Sequence, residues 1–293
     1  MKEIFEFRIY ERYYNLLSKP NKSEFNGAVY IVKVTRQDPF FEELRKVDKY
    51  VTSHLRGTMF SYTAVKRTYS SQELGDSKLF HFWPIKQFGP TGEQCGTKYD
   101  DSVACVICGS GGRQISSLFL AKGKIPQTDI SRSLGGEMIV SDNFLKVFNE
   151  RKMKGAIFKP VYFSKTISKF HQIIPTSTKL DLTDSTVVGR NVFNAMPEYE
   201  KREPLGLGDS PQQEYVYYKC PLGHLIGGNL ISEPHVHNPI DIKDYDIFES
   251  AQYYGVRLNL LRPEPLYFCS PSFRKMVIDE KLTGFDFQIA RID

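Results

Sequence analysis

Long hydrophobic runs and a strong excess of either charge are both missing from this sequence of 293 residues. No stretch approaches the roughly 18 consecutive apolar residues that a membrane-spanning helix needs. The formal net charge of +5 is mild for this length and does not predict the dense basic face of a nucleic-acid binder. Residues 1–10 alternate charged and apolar side chains, which predicts a strand and neither a signal peptide nor an anchor.

Cysteine is also scarce. An odd number of cysteines in a chain this long argues against the disulfide framework of a small secreted domain, so we expect a soluble, cytoplasmic protein. The five are Cys95, Cys105, Cys108, Cys220 and Cys269.

The sequence lacks the common catalytic signatures. It contains no G-x-S-x-G, no H-E-x-x-H and no dinucleotide-binding fingerprint. The run Gly109-Ser110-Gly111-Gly112 has the glycines of a phosphate loop but lacks the Lys-Ser/Thr that should follow it. We therefore expect that the chain is not an enzyme.

What the sequence does contain is an internal repeat. Residues 139–158 align without a gap on residues 268–287, with more identities than an unrelated pairing would give. The identical pairs are Ser141 with Ser270, Phe144 with Phe273, Lys146 with Lys275, Lys152 with Lys281, Gly155 with Gly284, and Phe158 with Phe287.

Each copy predicts a strand, a helix and a second strand. The serine stands at the N-cap position, apolar residues follow at helical spacing, and the glycine is predicted to end the helix in a left-handed conformation. A second matching block lies upstream, where 108–116 aligns with 224–232 and shares Gly-Gly and Ile-Ser. Two blocks in the same order indicate a duplication.

We therefore predict an α+β fold with two similar strand-helix-strand units that arose by duplication and join at a zinc-knuckle-like centre. A β-rich region with one helix is expected over 1–100, with helical spacing from Phe40 to Leu55. The first repeat is expected over 101–163, an irregular connection over 164–213, and the second repeat over 214–293. Residues 86–102 and 175–213 are irregular and are candidate contact loops.

The repeat also aligns two pairs of metal-binding residue types. Cys105 and Cys108 form a C-x2-C-G knuckle, and Cys220 and His224 form a C-x3-H pair. Three sulfurs and one imidazole are a closed ligand set of the kind that holds structural zinc. We predict one Zn²⁺ that binds these four residues and joins the two halves of the chain.

Two alternatives remain open at this point. The four residues could be small buried side chains at turns that hold no metal. His235 and His237 would face the same side of a strand and could chelate an ion, but no third ligand is evident. A polar strand edge is the plainer interpretation of these two histidines.

The paired knuckles, each upstream of a strand, a serine, a helix, a glycine and a strand, resemble the double-CxxCG proteins. They also resemble the related immunity-protein-like families of bacterial polymorphic toxin systems. The closing segment from Leu266 to Phe287 is similar to the C-terminal signature of that family. The resemblance covers about residues 100–293, and it departs from the family pattern at the second knuckle, where His224 replaces a cysteine.

This resemblance implies a non-catalytic protein that binds and neutralises a cognate toxin encoded beside it. The 17 tyrosines and 21 phenylalanines can supply anchors for such an interface. The alternatives are a zinc-ribbon-like nucleic-acid-binding protein, for which the cations near the knuckles are thinly spread, or a metal-dependent enzyme. No membrane partner is expected, and the sequence does not set the oligomeric state.

Overall fold

The computed structural model describes residues 1–18, 23–189, 191–195, 202–204, 214–216, 219–238 and 242–293. Within these ranges the protein is α+β, with several mostly antiparallel sheets. Parts of the connection expected over 164–213 and of the candidate contact loop 175–213 lie outside the described residues.

A four-stranded antiparallel sheet opens the chain. The helix Pro39–His54 packs its apolar face on this sheet, and the side chain of Asp38 caps it by accepting from the Phe40 amide at 2.9 Å. The helix predicted from residue 40 to 55 and the strand predicted over 1–10 are thus confirmed. In spatial order the strands are Ser23–Phe25, Val29–Val34, Lys2–Tyr10 and Phe60–Thr68, and the short helices Glu11–Tyr14 and Ser71–Asp76 follow the third and the fourth.

Two further sheets, both larger than the two-stranded pairings around them, form most of the rest of the core. The six-stranded sheet contains, in spatial order, Gln87–Phe88, Ile130–Ser133, Met138–Ser141, Thr166–Pro175, Ala156–Phe163 and Leu118–Phe119. The four-stranded sheet contains Ile247–Tyr254, Glu264–Cys269, Phe80–Pro84 and Phe285–Ile289.

Small two-stranded pairings surround the larger sheets. They are Tyr99–Asp100 with Arg113–Gln114, Val188–Gly189 with Asn229–Leu230, Arg202–Pro204 with Glu214–Val216, and His235–Val236 with Arg291–Ile292. Two single-turn 3₁₀ helices, Glu93–Cys95 and Val192–Ala195, complete the described elements.

The helices Asp142–Glu150 and Pro271–Asp279 are built alike. In each, the serine that precedes the helix accepts a hydrogen bond from the backbone amide three residues on, at 3.0 Å, as the sequence predicts. Their apolar faces lie in one hydrophobic cluster with both larger sheets, and the rings of Phe144 and Phe273 are 6.1 Å apart. The two helices therefore share a core.

The prediction that Gly155 and Gly284 end these helices is wrong. The helices are shorter than expected, and the left-handed residues that follow their C-caps are Lys152 and Lys281, with φ of 54° and 52°. The glycines are also left-handed, with φ of 98° and 93°, but they stand where the next strand begins.

The hairpins that precede the two helices have the same register. Ile130 is opposite Val140 in the six-stranded sheet, and Ile247 is opposite Cys269 in the four-stranded sheet. Val140 and Cys269 each directly precede a serine cap, so both hairpins are positioned identically with respect to the helix that follows.

Two aspartates just before these hairpins link the sheets to each other. Asp129 accepts from the hydroxyl of the first serine cap at 2.8 Å and from the amide of Thr283 at 2.8 Å. Asp246 accepts from the hydroxyl of the second serine cap at 2.7 Å and from the amide of Lys154 at 2.9 Å. Each aspartate thus binds its own helix cap and the loop after the opposite helix.

The strands Phe80–Pro84 and Thr166–Pro175 occupy equivalent places in the two larger sheets. Each lies between the strand that precedes a helix and the strand that follows it. Each ends at a proline opposite the first residue of that following strand. In the sequence, Phe80–Pro84 precedes both cysteine-containing turns, but it pairs with strands that lie beyond residue 263.

Hydropathy adds one observation. Among the described residues, none of the helices is both long enough and apolar enough to cross a membrane.

Candidate metal centre

The first knuckle is a tight turn closed by backbone hydrogen bonds. The amide of Cys105 donates to the carbonyl of Ser110 at 2.8 Å, and the amide of Gly109 donates back to the carbonyl of Cys105 at 2.8 Å. Gly109 has φ of 76°, and a Cβ there would lie 2.5 Å from Cβ of Arg257. Glycine is required here for both its conformation and its size.

The second knuckle has a related geometry. The amide of Cys220 donates to the carbonyl of His224 at 2.8 Å, and the amide of Gly223 donates to the carbonyl of Cys220 at 2.7 Å. Gly223 is left-handed, with φ of 85°. The extra residue between the two ligands, relative to the first knuckle, is accommodated inside this turn.

The fold brings the four predicted ligands together. The Sγ atoms of Cys105, Cys108 and Cys220 and a ring nitrogen of His224 all lie within 4.8 Å of one another. The Nδ1 atom of His224 is 3.3 Å from the sulfur of Cys220 and 3.5 Å from that of Cys108. A tetrahedral zinc with Zn–S of about 2.3 Å and Zn–N of about 2.0–2.1 Å places nitrogen and sulfur roughly 3.6 Å apart.

Hydrogen bonding alone does not account for this convergence. A single imidazole nitrogen makes one good hydrogen bond, as donor or as acceptor. Here two sulfurs approach the same nitrogen at similar distances, and a third sulfur completes the group. The donor set fits a metal such as zinc, with Cys108 and Cys220 buried and Cys105 and His224 half-buried.

The thiols have opposed ionisation behaviour. Burial, together with the neighbouring Cys105 and Cys220, raises the pKa of Cys108 to about 12. Partial burial also acts to raise the pKa of Cys105, but hydrogen bonds from the amides of Cys108 and Ile107 lower it to about 7. Three thiolates this close repel one another without a cation between them, and a bound dication relieves that repulsion.

Two arginines from a distant segment brace the first knuckle. The amide of Arg257 donates to the carbonyl of Cys108 at 2.8 Å. Arg262 contacts Asp101 at 2.6 Å and Glu93 at 2.8 Å, and Arg257 pairs with the same two acids. The guanidinium of Arg262 also lies 3.9 Å from the centre of the Tyr99 ring.

Sequence reasoning did not identify these arginines. Their acidic partners lie more than 150 residues away in the chain, and no spacing signal connects a lone arginine to a distant acid. Both arginines lie just before the strand Glu264–Cys269, in a segment that also holds one valine and three leucines.

The other candidate ligands lie elsewhere. His235 is in a short strand, and its Nδ1 is 2.8 Å from the Oδ1 of Asp293. Within the described ranges, neither His235 nor His237 belongs to a group of three possible ligands. Cys95 lies outside the cluster, and Cys269 is fully buried at the end of a strand.

No protein-family model matches the chain, and no curated protein matches it significantly. The resemblance to the double-CxxCG proteins therefore remains a prediction from the residues.

Proposed function

We propose that this chain is a non-catalytic, protein-binding protein that is stabilised by one structural zinc, is built from two copies of one unit, and neutralises a cognate bacterial toxin. The convergence of Cys105, Cys108, Cys220 and His224 carries the proposal. Four protein ligands leave a tetrahedral ion no open position for substrate, so the zinc has a structural role.

The zinc connects chain segments that are more than 100 residues apart. Binding Cys108 and Cys220 to one ion fixes a loop of this length, which removes conformational freedom mainly from the unfolded chain. Elemental analysis of protein prepared without chelator tests this step. About one equivalent of zinc is expected, and less than one tenth would overturn it.

The proposed duplication is wider than the repeat visible in the sequence. Its copies are residues 80–163 (first unit) and residues 171–293 (second unit). Matching hydrogen bonds around the knuckles support it. Thr97 accepts from the amide of Phe119 at 2.9 Å and donates to its carbonyl at 3.3 Å, and Thr186 makes the same pair of bonds with His235, both at 2.8 Å.

Further support comes from the two larger sheets. The hairpin registers, the serine caps and the two aspartates that bind opposite loops all correspond between the units. Arg151 and Glu280, which pair with each other, stand at equivalent positions after the two helices. A contact between equivalent positions is what an approximate two-fold axis between the units produces.

In this arrangement the first strand of each unit lies in the sheet of the other. Phe80–Pro84 opens the first unit but pairs in the four-stranded sheet, and residues 171–175 open the second unit but pair in the six-stranded sheet. The units are therefore interlocked as well as joined at the zinc.

The toxin-neutralising role rests on the paired knuckles and on the resemblance that they carry. A protein that acts by covering another needs a stable scaffold and an exposed interface, and neither requires a catalytic group. A closed zinc centre and interlocked units supply the scaffold.

The neighbouring reading frame tests this role. A secreted protein with a toxic C-terminal domain is expected there, and co-expression of this chain should suppress the lethality of that domain. The proposal would be refuted if this chain neither bound that domain nor suppressed its lethality.

A further inference from the structure

The N-terminal sheet covers one face of the second unit. Ile231 and Val192 are each 4% exposed and lie in the hydrophobic cluster of that sheet. The ring of Phe193 stacks on Phe7 at 5.4 Å. Arg67, whose side chain is 4% exposed, donates to the carbonyl of Ile231 and to nearby acceptors. The N-terminal sheet therefore buries this face of the second unit.

The equivalent face of the first unit is open. The amide of Ile115 donates to the carbonyl of Lys98 at 2.9 Å, just as the amide of Ile231 donates to that of Val187 at 2.8 Å. These matched bonds make Ile115 the counterpart of Ile231. Ile115 is nevertheless 64% exposed, against 4% for Ile231.

A second pair of residues shows the same contrast. Val103 and Val192 each lie three positions after the first strand of a small hairpin. Val103 is 45% exposed, whereas Val192 is buried. The next residue is Ala104 in the first unit and Phe193 in the second. The first unit therefore has a small side chain where the second has an aromatic ring facing the N-terminal sheet.

Charge indicates what could cover the open face. Arg113 lies on the same side of its strand as Ile115, and Lys98 is opposite Ile115 across the hairpin. Both cations are exposed. Of the acids nearby, Asp101 pairs with two arginines, and Asp100 lies opposite Arg113 across the hairpin and offsets one of the two cations. The face thus combines apolar side chains with a small net positive charge.

We infer that this open face, formed by Lys98, Val103, Ala104, Arg113 and Ile115, binds an acidic protein surface that presents a large apolar side chain. The inference rests on the proposed function, because the acidic surface is that of the toxin to be neutralised. The apolar side chain fills the space beside Ala104, and surrounding carboxylates pair with Lys98 and Arg113.

The test uses the full-length protein and the purified toxic domain encoded beside it, in a catalytically inactive form. Ile115→Asp should weaken binding at least about 30-fold, as loss of an interface hot spot does. Ile278→Asp is the matched control, because Ile278 is 52% exposed on the helix Pro271–Asp279, outside this face. Zinc content and unfolding temperature of both variants should equal those of the wild type.

Charge reversal supplies a second measurement. Lys98→Glu combined with Arg113→Glu should slow association about tenfold and reduce its dependence on salt concentration. If the wild type binds the toxic domain and Ile115→Asp binds it equally well, the inference is overturned but the proposed function stands. Absence of wild-type binding would overturn the proposed function and the inference with it.

Other occupants give other results, and each would overturn the inference. A wild-type dimer in light scattering that Ile115→Asp converts to a monomer would mean that a second copy covers the face. Binding to a DNA or RNA oligonucleotide that the double charge reversal abolishes would mean that the ligand is a nucleic acid.

Discussion

The two knuckle-bearing units have closely matched hydrogen bonds but different surroundings. The second unit buries Ile231 beneath the N-terminal sheet, whereas the first unit leaves its counterpart Ile115 exposed. The ligands differ too, because the first knuckle offers two sulfurs and the second a sulfur and an imidazole. Under the proposed duplication, the hydrogen bonds of the two units were kept while their exposed faces diverged.

The largest expected effect comes from breaking the centre that the units share. Cys108→Ala and His224→Ala should each lose zinc and cooperative unfolding, because structural zinc contributes about 10–16 kcal/mol in small domains, more than most folds can lose. His224→Cys gives the second knuckle two sulfur ligands, as in the first, and should retain one equivalent of zinc. Zinc analysis and thermal unfolding measure these outcomes. Cys95→Ala is the control, and zinc loss there would contradict the assignment.

The next largest effect concerns the glycines that begin the strands after the helices. A Cβ at Gly155 would lie 2.6 Å from the carbonyl oxygen of Ile247, and one at Gly284 would lie 2.4 Å from that of Ile130. Alanine at either position should cost roughly 2–4 kcal/mol in the free energy of unfolding, because clash adds to left-handed strain.

Gly123 provides the control for these glycines. It is also left-handed, but a Cβ there would meet nothing within 4 Å. Gly123→Ala should therefore cost only about 1 kcal/mol, the conformational part of the effect. Denaturant unfolding of the three variants separates the two contributions. Equal losses of unfolding free energy in all three variants would show that the close contacts at Gly155 and Gly284 add nothing to the conformational cost.

A smaller effect is expected from the aspartates that bind the opposite loops. Asp129→Ala and Asp246→Ala should each destabilise the fold by about 1–3 kcal/mol, because amide and hydroxyl donors lose their acceptor. A loss at one position only would show that the two linkages are not equivalent. Chemical unfolding at neutral pH compares the two variants directly.

Asp129 also predicts a pH dependence. Burial acts to raise the pKa of Asp129, but hydrogen bonds from Asn143, Thr283 and Ser141 outweigh it and lower the pKa. A lowered pKa in the folded state stabilises the fold above the unfolded value of about 3.9, and this contribution is lost as the pH falls through the folded pKa. In Asp129→Asn, the free energy of unfolding should fall less steeply with decreasing pH below about pH 4 than it does in the wild type, and chemical unfolding over a pH series measures this.

The smallest effect compares the serine caps. Ser141→Ala and Ser270→Ala should each cost about 1–2 kcal/mol in the free energy of unfolding, since each removes the acceptor of a helix amide and the hydroxyl that donates to Asp129 or Asp246. The reduction in unfolding free energy should be similar for both, and Ser117→Ala, outside any helix, should change little. A difference of more than about 1 kcal/mol between the two caps would mean that their surroundings differ more than their hydrogen bonds do.

Local features of the fold and site were predictable from the sequence because their causes are local. Serine caps, helical spacing and cysteine pairs are each encoded within a few residues, and the repeat linked Cys108 to His224. The crossing of Phe80–Pro84 into a sheet with residues beyond 263 was not predictable, because strand pairing at that separation leaves no local signal. The bracing by Arg257 and Arg262 was missed for the same reason.

The position of Phe80–Pro84 has a consequence for synthesis on the ribosome. This strand of mostly apolar and aromatic residues leaves the exit tunnel early, yet its pairing partners include Ile289, about 200 residues later. At ~5–20 residues per second, the strand waits on the order of 10–40 seconds without its neighbours. Nascent chains stalled before residue 264 should therefore expose this strand to proteases and to chaperones. Release of the complete chain should allow the strand to pair and should protect it from both.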